Sequence, residues 1–307
     1  MAQVRFDHFM AAALYDPERG YYSRRIKTVG ERGDFTTTPQ LSPLLAKAIA
    51  QQFRSSGYQH LIEVGPGSGL LAEQIRQALP WHIRRRTKQH LVEISPLLRK
   101  IQQERIPKAS HHSSLSDALQ KSNGNAFIYS NELVDAFPVR RFRWSGEEWH
   151  EHHLETNEGL TKNIFFPTPD LPSSLLLKAN YPTGQIVEIH ESYQQWLNAQ
   201  LINLNRGQLL TIDYVAPSPR PLLGTIRGYF QHQRIQESDI IRNAGHVDIT
   251  CDVHFPDLIT WGKEQGLRTL SHETQTEFLS PFRASGSDSM ADPQAAGAAF
   301  EVLLQER

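Results

Sequence analysis

The stretch of this sequence best suited to chemistry is a set of glycines with carboxylates on either side. Gly65, Gly67 and Gly69 follow an apolar run, residues 61–64, that includes the acid Glu63. Glycine lets the backbone turn sharply and come close to a ligand that a Cβ would block. The free N–H groups at the start of the following helix suit an anionic group such as a carboxylate.

A second acid follows at the end of the next predicted strand. Helical spacing over residues 70–79 is followed by the apolar pair Leu91 and Val92, and then by Glu93. An acid at this position can accept hydrogen bonds from two ribose hydroxyls. The strand, glycine turn, helix, strand and acid together predict half of a nucleotide-binding α/β unit.

The glycine spacing selects among nucleotide ligands. The run G-P-G-S-G over residues 65–69 differs from the dinucleotide pattern G-x-G-x-x-G, and the absence of a following Lys-Ser/Thr excludes a P-loop. With Glu63 just before it, the pattern favours S-adenosylmethionine (SAM) over NAD. An ordinary strand–helix turn that binds nothing is the alternative. The predicted cofactor-binding residues are Glu63, Gly65, Pro66, Gly67, Gly69, Glu93, Ile94, Leu115 and Asn131.

Polar residues also follow the predicted strand over residues 126–129. Asn131, Glu132 and Asp135 come directly after it. Because parallel sheets bind ligands beyond the carboxyl ends of their strands, we expect these side chains to face the same crevice as the glycines. Glu132 and Asp135 are the candidate catalytic acids. The alternative is that Asn131 caps a short helix whose dipole the two acids complement.

Composition limits the class of protein. The 307 residues carry a net charge of -1, which gives no global basic field for nucleic acid. The single cysteine, Cys251, excludes an internal disulfide and fits a reducing compartment. The sequence contains no long apolar span and no recognisable signal or transit peptide, so we expect a cytoplasmic protein with no membrane contact.

The remaining patterns predict an α/β core with additions. Helices are expected over residues 6–14, 41–53 (capped by Ser42-Pro43), 96–101, 193–201 (ending near Gly207) and 255–263. The helix over 96–101 is expected to be capped by Ser95-Pro96 and to carry Leu97, Leu98 and Ile101 on its apolar face. Strands are expected over residues 208–212, 267–271 and 300–304, and a hairpin over 139–154. Irregular structure is expected over 224–229 and 245–250, a mobile loop over 285–293, and a loop over 30–38 that either covers the ligand or is a solvated connector.

These elements suggest a division of the chain. An N-terminal helical segment with a lid loop would span residues 1–58, the core 59–139 and 186–307, and an inserted subdomain 140–185. No metal site is expected. His150, His152 and His153 alternate along one strand, cannot converge, and are predicted to lie at the surface. His111 and His112 lack a second ligand pair with zinc-like spacing.

The sequence resembles the MidA-type SAM-dependent methyltransferases, which include the mitochondrial complex I assembly methyltransferase. The similarity runs almost end to end, through residues 12–22, 33–43, 63–69, 93–96, 131–138, 213–214, 224–229 and 248–250. It departs from the family at Gln40 where an acid is expected, at Val215 where glycine is expected, and at Cys251-Asp252 where Ala-His is expected.

The resemblance implies a class I α/β fold with a mostly parallel, Rossmann-like, seven-stranded sheet and an antiparallel last strand. It also implies methylation of a protein side chain, an arginine in the mitochondrial branch, while bacterial members are less defined. Substrate-side residues would be Asp34, Phe35, Thr36, Asp213, Tyr214, Arg227 and Asp248. The alternatives are a non-catalytic SAM-binding assembly factor that grips a partner through residues 140–185, a small-molecule methyltransferase, and an NAD-dependent oxidoreductase.

Overall fold

A computed structural model describes residues 2–25, 43–157, 160–230, 233–282 and 296–307. The predictions for the loop over 30–38, Gln40, the Ser42 cap and the loop over 285–293 concern residues outside these ranges. The chain divides into two compact units. The first unit comprises Met1–Arg25, Val134–Trp196 and Val215–Leu258, and the second comprises Ile26–Leu133, Leu197–Tyr214 and Ile259–Arg307.

Fifteen strands and ten α-helices lie within the described ranges. The strands are β1 (Ala2–Arg5), β2 (His60–Val64), β3 (Lys88–Val92), β4 (Ser110–His112), β5 (Asn125–Asn131), β6 (Arg140–Trp144), β7 (Trp149–Asn157), β8 (Leu160–Pro167), β9 (Ile186–Ile189), β10 (Arg206–Tyr214), β11 (Arg227–Phe230), β12 (Gln233–Ile235), β13 (Asp248–Thr250), β14 (Arg268–Thr274) and β15 (Phe300–Glu306). The helices are α1 (Phe6–Tyr15), α2 (Leu44–Ser56), α3 (Leu70–Ala78), α4 (Trp81–Arg84), α5 (Pro96–Arg105), α6 (Leu115–Lys121), α7 (Glu191–Gln200), α8 (Glu237–Arg242), α9 (Phe255–Glu264) and α10 (Gln275–Leu279).

The second unit is built on a seven-stranded sheet in the order β14-β15-β10-β5-β2-β3-β4. Strands β10, β5, β2, β3 and β4 pair in parallel, and β15 runs antiparallel to both of its neighbours. The apolar run over residues 126–129 of β5 fits a central strand with both faces covered. Every residue of β5 after Asn125 is buried.

One layer of the core of the second unit lies where α2 and α3 meet the sheet. Phe53 of α2 packs edge-on against Phe127 of β5, with ring centroids 5.9 Å apart. Leu45 and Ile49 extend the same helical stripe and are fully buried. The apolar periodicity that predicted α2 therefore corresponds to a real packed face. The helix begins at Leu44, so Pro43 precedes it and is not its first residue.

The first unit contains two antiparallel sheets. One has the order β1-β7-β6-β9 with β8 also paired to β7, and the other has the order β12-β11-β13. The predicted hairpin is confirmed as β6 and β7, with Ser145 closing the turn by accepting from the backbone of Glu148. The prediction of irregular structure over residues 224–229 and 245–250 is wrong in part, because β11 and β13 begin there and pair directly with each other. Short paired strands with glycine and polar residues lack the apolar alternation on which strand prediction depends.

Two further predictions are corrected. The helix expected to end near Gly207 ends at Gln200, and Gly207 lies inside β10, where a Cβ would meet the carbonyl oxygen of Ala126 at 2.5 Å. His152 is fully buried and not at the surface, since its ring stacks between Phe6 and Phe165 at centroid distances of 4.8 and 4.6 Å. Both contacts join segments distant in sequence, and local alternation carries no information about them.

On α5, the buried face consists of Leu98 and Gln102. The sequence had favoured Leu97, Leu98 and Ile101, but Leu97 is 39% exposed. None of the helices in the described ranges is long and apolar enough to cross a membrane.

Candidate functional site

The glycine turn between β2 and α3 has a backbone conformation that residues with side chains rarely adopt. Gly65, Gly67 and Gly69 have φ values of 69°, 52° and 78°, in the left-handed region that favours glycine. The turn is held by two backbone hydrogen bonds. Gly65 N–H donates to the Val92 carbonyl oxygen at 3.0 Å, and Gly69 N–H donates to the carbonyl oxygen of the buried Pro66 at 2.8 Å. The three predicted glycines are therefore required by conformation.

The glycine turn also comes close to the loop that follows β5. A Cβ on Gly65 would lie 2.7 Å from Cδ1 of Leu133, which is shorter than any ordinary carbon contact. Gly69, by contrast, would meet nothing nearer than 3.4 Å. A side chain on Gly65 would therefore have to displace the Leu133 side chain.

Glu63 lies at the end of β2 and is almost completely buried. The hydroxyl of Tyr129 on the neighbouring strand β5 donates to its Oε2 at 2.9 Å. Burial raises the pKa of Glu63 to about 8, and the Tyr129 bond offsets that effect only in part. A carboxylate in this position favours a positively charged neighbour, which would restore its ionised form.

Glu93 follows β3 and is also buried. Its Oε1 accepts from the Ser95 backbone N–H at 2.9 Å, while burial raises its pKa to about 7. Ser95 also caps α5 as predicted, accepting from Leu98 N–H, with Pro96 as the first helical residue. The acid is therefore held at the strand end by the start of the helix that follows it.

Gln102 on α5 connects the two parts of the site. Its Nε2 donates to the carbonyl oxygen of Gly67 at 2.7 Å, and its side chain also hydrogen-bonds Glu93. The side chain is fully buried on the helix face shared with Leu98. Sequence reasoning missed this residue. The available signal was a glutamine four positions after a buried leucine, on the apolar stripe of a helix.

The carboxyl end of β5 carries Asn131 and Glu132. Glu132 has a φ of 52°, which is uncommon for a residue with a side chain. Its backbone N–H donates to the Ile212 carbonyl at 3.0 Å, and its Oε1 accepts from Asn131 Nδ2 at 2.9 Å. Oδ1 of Asn131 is buried without a hydrogen-bond partner in the described structure.

Asp213, at the end of the adjacent strand β10, holds this turn in place. It is fully buried, and its two oxygens accept from the backbone N–H groups of Leu133, at 3.1 Å, and Tyr214, at 2.9 Å. Tyr214 is half-buried, with its ring centroid 4.0 Å from that of Phe300. Both residues were predicted to lie on the substrate side.

Two predicted cofactor residues have contrasting environments. Ile94, directly after Glu93, is 57% exposed and offers an apolar surface beside the acid. Leu115 is the first residue of α6 and is fully buried.

The structure brings the glycine run, Glu63, Glu93, Asn131 and Glu132 to the carboxyl ends of neighbouring strands of one sheet.

Other predicted residues belong to the first unit. Asp135 lies in a 3-10 helix, and its carbonyl oxygen accepts from Cys251 N–H at 2.9 Å. Asp248 accepts from the Tyr22 hydroxyl at 2.8 Å, and burial raises the pKa of that tyrosine well above its ordinary value. Both aspartates are buried.

Arg227 of the first unit forms an ion pair with Asp252. Asp252 is one of the residues at which the sequence departs from the resembled family. Asp34, Phe35 and Thr36 lie outside the described residues. Within the described ranges, no group of three or more His, Cys, Asp or Glu residues is arranged to hold a metal ion.

Comparison with known proteins supplies a family. Residues 44–272 match the model of a family described as "Putative S-adenosyl-L-methionine-dependent methyltransferase". The mitochondrial protein arginine methyltransferase NDUFAF7 of Xenopus tropicalis is 25% identical, over 90% of this chain and 71% of its own length. The human protein of the same name is also 25% identical, over 87% of this chain and 67% of its own length.

A solved structure shares the fold. A Burkholderia thailandensis protein crystallised with S-adenosyl-homocysteine is 24% identical and aligns with a TM-score of 0.83, covering 99% of this chain and 88% of that one. A second structure from the same organism aligns with a TM-score of 0.76 at 23% identity, covering 99% and 87%. Since the family model matches most of the chain, this protein belongs to that SAM-dependent methyltransferase family and uses SAM as its cofactor.

Proposed function

We propose that this enzyme transfers the methyl group of SAM to a guanidino nitrogen of an arginine side chain in a protein. The observation that carries the proposal is the constrained conformation of Glu132 at the carboxyl end of a central strand. Two hydrogen bonds hold this acid, and a third holds the backbone N–H of the next residue, Leu133. The names of the curated relatives support arginine as the acceptor.

The described residues fit the cofactor. The glycine turn leaves room for a backbone approach, and Glu63 offers a buried carboxylate to a cationic group. The unpartnered Oδ1 of Asn131 is a buried acceptor that an ammonium group would satisfy. Glu93 would accept from the ribose hydroxyls. When bound, SAM supplies an electrophilic methyl group on a sulfonium.

The strand order supports a class I assignment for the fold. The five parallel strands, with the antiparallel β15 between β10 and β14, form a sheet whose ligand-binding edge is the carboxyl edge. We propose this class together with residues 140–185 as an inserted substrate subdomain of a core spanning 59–139 and 186–307, preceded by a segment over 1–58. A cytoplasmic location stays a prediction, and the curated relatives are named as mitochondrial proteins.

Glu132 would act on the acceptor. Its carboxylate can hold a guanidinium through two parallel hydrogen bonds, which fixes one nitrogen in line with the methyl group. Transfer would form an N–C bond as the S–C bond breaks, the electron pair of that bond would stay on the sulfur, and the methylated nitrogen would release a proton to water. Positioning of this kind can contribute up to roughly 7–11 kcal/mol toward lowering a barrier.

The strain at Glu132 is consistent with a functional position. A left-handed conformation for a residue with a side chain costs about 1–3 kcal/mol and persists only where the surroundings enforce it. Here Asp213 enforces it by accepting from the next backbone N–H. We therefore propose Asp213 as a positioning residue. Asp135 as a second catalytic acid, and Tyr214, Arg227 and Asp248 on the substrate side, stay predictions.

Replacing Gly65 with alanine tests the turn. We expect Gly65→Ala to weaken SAM binding at least about tenfold, because its Cβ would displace Leu133 from the loop after β5. Gly57→Ala is the matched control, since Gly57 also has a positive φ (76°) but a Cβ there would meet nothing within 4 Å. Both variants pay a similar conformational cost. Equal SAM affinity for the two, measured by calorimetry, would contradict the assignment.

The pKa of Glu63 predicts a pH dependence. Because burial raises that pKa to about 8, Glu63 contributes stability to the ligand-free fold below about pH 4.5, and this contribution is lost as the pH rises through about 8. A bound cation lowers the pKa again. The increase in melting temperature caused by SAM should therefore grow between about pH 6 and about pH 8.

Two variants check the assignment to this carboxyl. In Glu63→Gln, the SAM-induced increase in melting temperature should depend less on pH, and the remaining dependence is the part that Glu93 contributes. In Tyr129→Phe, the SAM-induced increase in melting temperature should begin to grow only at higher pH, since the Tyr129 hydroxyl lowers the pKa of Glu63. A SAM effect of constant size across this pH range in the unmodified protein would show that Glu63 does not face the cofactor's charge.

The acceptor is tested with labelled SAM and Glu132→Gln. We expect label from the unmodified enzyme to enter protein in a cell lysate and to be recovered as methylarginine by mass spectrometry. Glu132→Gln keeps the size and the Asn131 neighbour but loses the charge, so turnover should fall by at least about a hundredfold with SAM affinity unchanged. Full turnover by this variant would remove Glu132 from the mechanism. Label on another kind of side chain would show that arginine is not the methyl acceptor.

A further inference from the structure

A cavity open to solvent lies in the second unit, at the ends of the strands opposite the glycine turn. It has a volume of about 330 Å³ and is formed where β2, β5 and β10 begin. The glycine turn and Glu93 lie beyond the carboxyl ends of the strands, so this cavity is separate from the proposed cofactor site. Its size falls within the range of small-ligand pockets.

The lining of this cavity has one sign of charge. Arg206, at the start of β10, is the one formal cation among the described lining residues, and none of them is an acid. Gln59, Asn123 and Asn125 also line it, and Nδ2 of Asn125 already donates one hydrogen bond to the Asn123 carbonyl oxygen at 2.8 Å. Tyr58 hydrogen-bonds the Arg206 guanidinium and helps to orient it. The nearby carboxylate of Glu306 is paired with Arg268 at 2.9 Å, which leaves Arg206 as the dominant charge.

A chain of three histidines begins at the cavity wall. His60 lines the cavity, and its Nδ1 lies 2.9 Å from Nε2 of His90 on β3. Nδ1 of His90 lies 3.0 Å from Nε2 of His112 on β4. The three rings are hydrogen-bonded across neighbouring parallel strands, so a change of protonation at His60 is passed to the other two.

The geometry limits how many protons this chain can hold. Each gap between two ring nitrogens accommodates one proton, so with both hydrogen bonds intact the three rings can take up only one proton beyond the neutral state. Burial and the charge of Lys88 oppose that proton at His60 and His90. Burial also lowers the pKa of His112. Asp117 favours its charged form there, while His111 and Lys121 oppose it.

We propose that this cavity binds a small phosphate-bearing ligand through Arg206 and the neighbouring amides, and that binding is coupled to uptake of one proton by the His60–His90–His112 chain. An oxyanion beside Arg206 gains charge-assisted hydrogen bonds. The same anion stabilises a positive charge on His60. Ligand and proton therefore favour each other's binding, as linkage requires.

The proposal is tested with glycerol phosphate, inorganic phosphate and glycerol as probes, followed by calorimetry and by NMR of the histidine rings. We expect saturable binding of the two phosphates at millimolar concentrations or below, and no binding of glycerol. Because phosphate itself gains a proton between about pH 8 and about pH 6, the ratio of the affinities at the two values is compared with that of His60→Gln, and it should favour about pH 6 more strongly in the unmodified protein. If inorganic phosphate binds and glycerol phosphate does not, the site binds a free phosphate ion, and a phosphate ester is excluded as its ligand.

Matched variants locate the site. Arg206→Gln should weaken phosphate binding at least about tenfold, whereas Arg85→Gln, which removes an exposed arginine elsewhere in the second unit, should leave it unchanged. His60→Gln should keep binding at about pH 8 and lose the gain at lower pH. Unchanged SAM binding in each variant reports that the fold is intact. Absence of saturation by either phosphate, or equal affinity of the Arg206→Gln and unmodified proteins, would overturn the proposal.

Discussion

The organisation of the site depends on one backbone constraint, the sharp reversal between β2 and α3. Three glycines within five residues take positive φ values there, and the first of them packs directly against Leu133. A side chain at that point would separate two loops that both follow central strands of the sheet. The close approach of these loops brings Glu63, Asn131 and Glu132 to one edge of the sheet.

A set of buried polar contacts keeps this arrangement rigid. Gln102 ties the glycine turn to Glu93, and Asp213 ties the turn after β5 to the end of β10. Buried polar groups of this kind are stable only when their partners are in place, so each contact favours a single geometry. The unpartnered Oδ1 of Asn131 and the raised pKa of Glu63 mark two groups that a cationic ligand would satisfy.

Much of this site could be predicted from the sequence because its signals are local. Glycine spacing, an acid after each strand and the Ser95-Pro96 cap are all read from adjacent residues, and the structure has the corresponding strands, turn and cap. The positive φ of Glu132 was not predictable, because it results from contacts with Ile212 and Asp213, about eighty residues further along the chain.

Long-range packing also explains what the sequence did not anticipate. His152 is buried because Phe6 and Phe165 stack on its two faces, and β11 and β13 form a sheet only by pairing with each other. Gln102 interrupts an apolar stripe, and its hydrogen bonds to Gly67 and Glu93 explain why a polar residue lies there. The ion pair of Arg227 with Asp252 belongs to this chain's own departure from the family pattern, in the first unit.

The central claim is that the glycine turn binds SAM, and amide hydrogen exchange measures this directly. With SAM added, the account predicts slower exchange at residues 65–69 and at Glu132 and Leu133, with no comparable change when NAD is added instead. Exchange at the glycine turn that is unaffected by saturating SAM, or slowed equally by NAD, would contradict it.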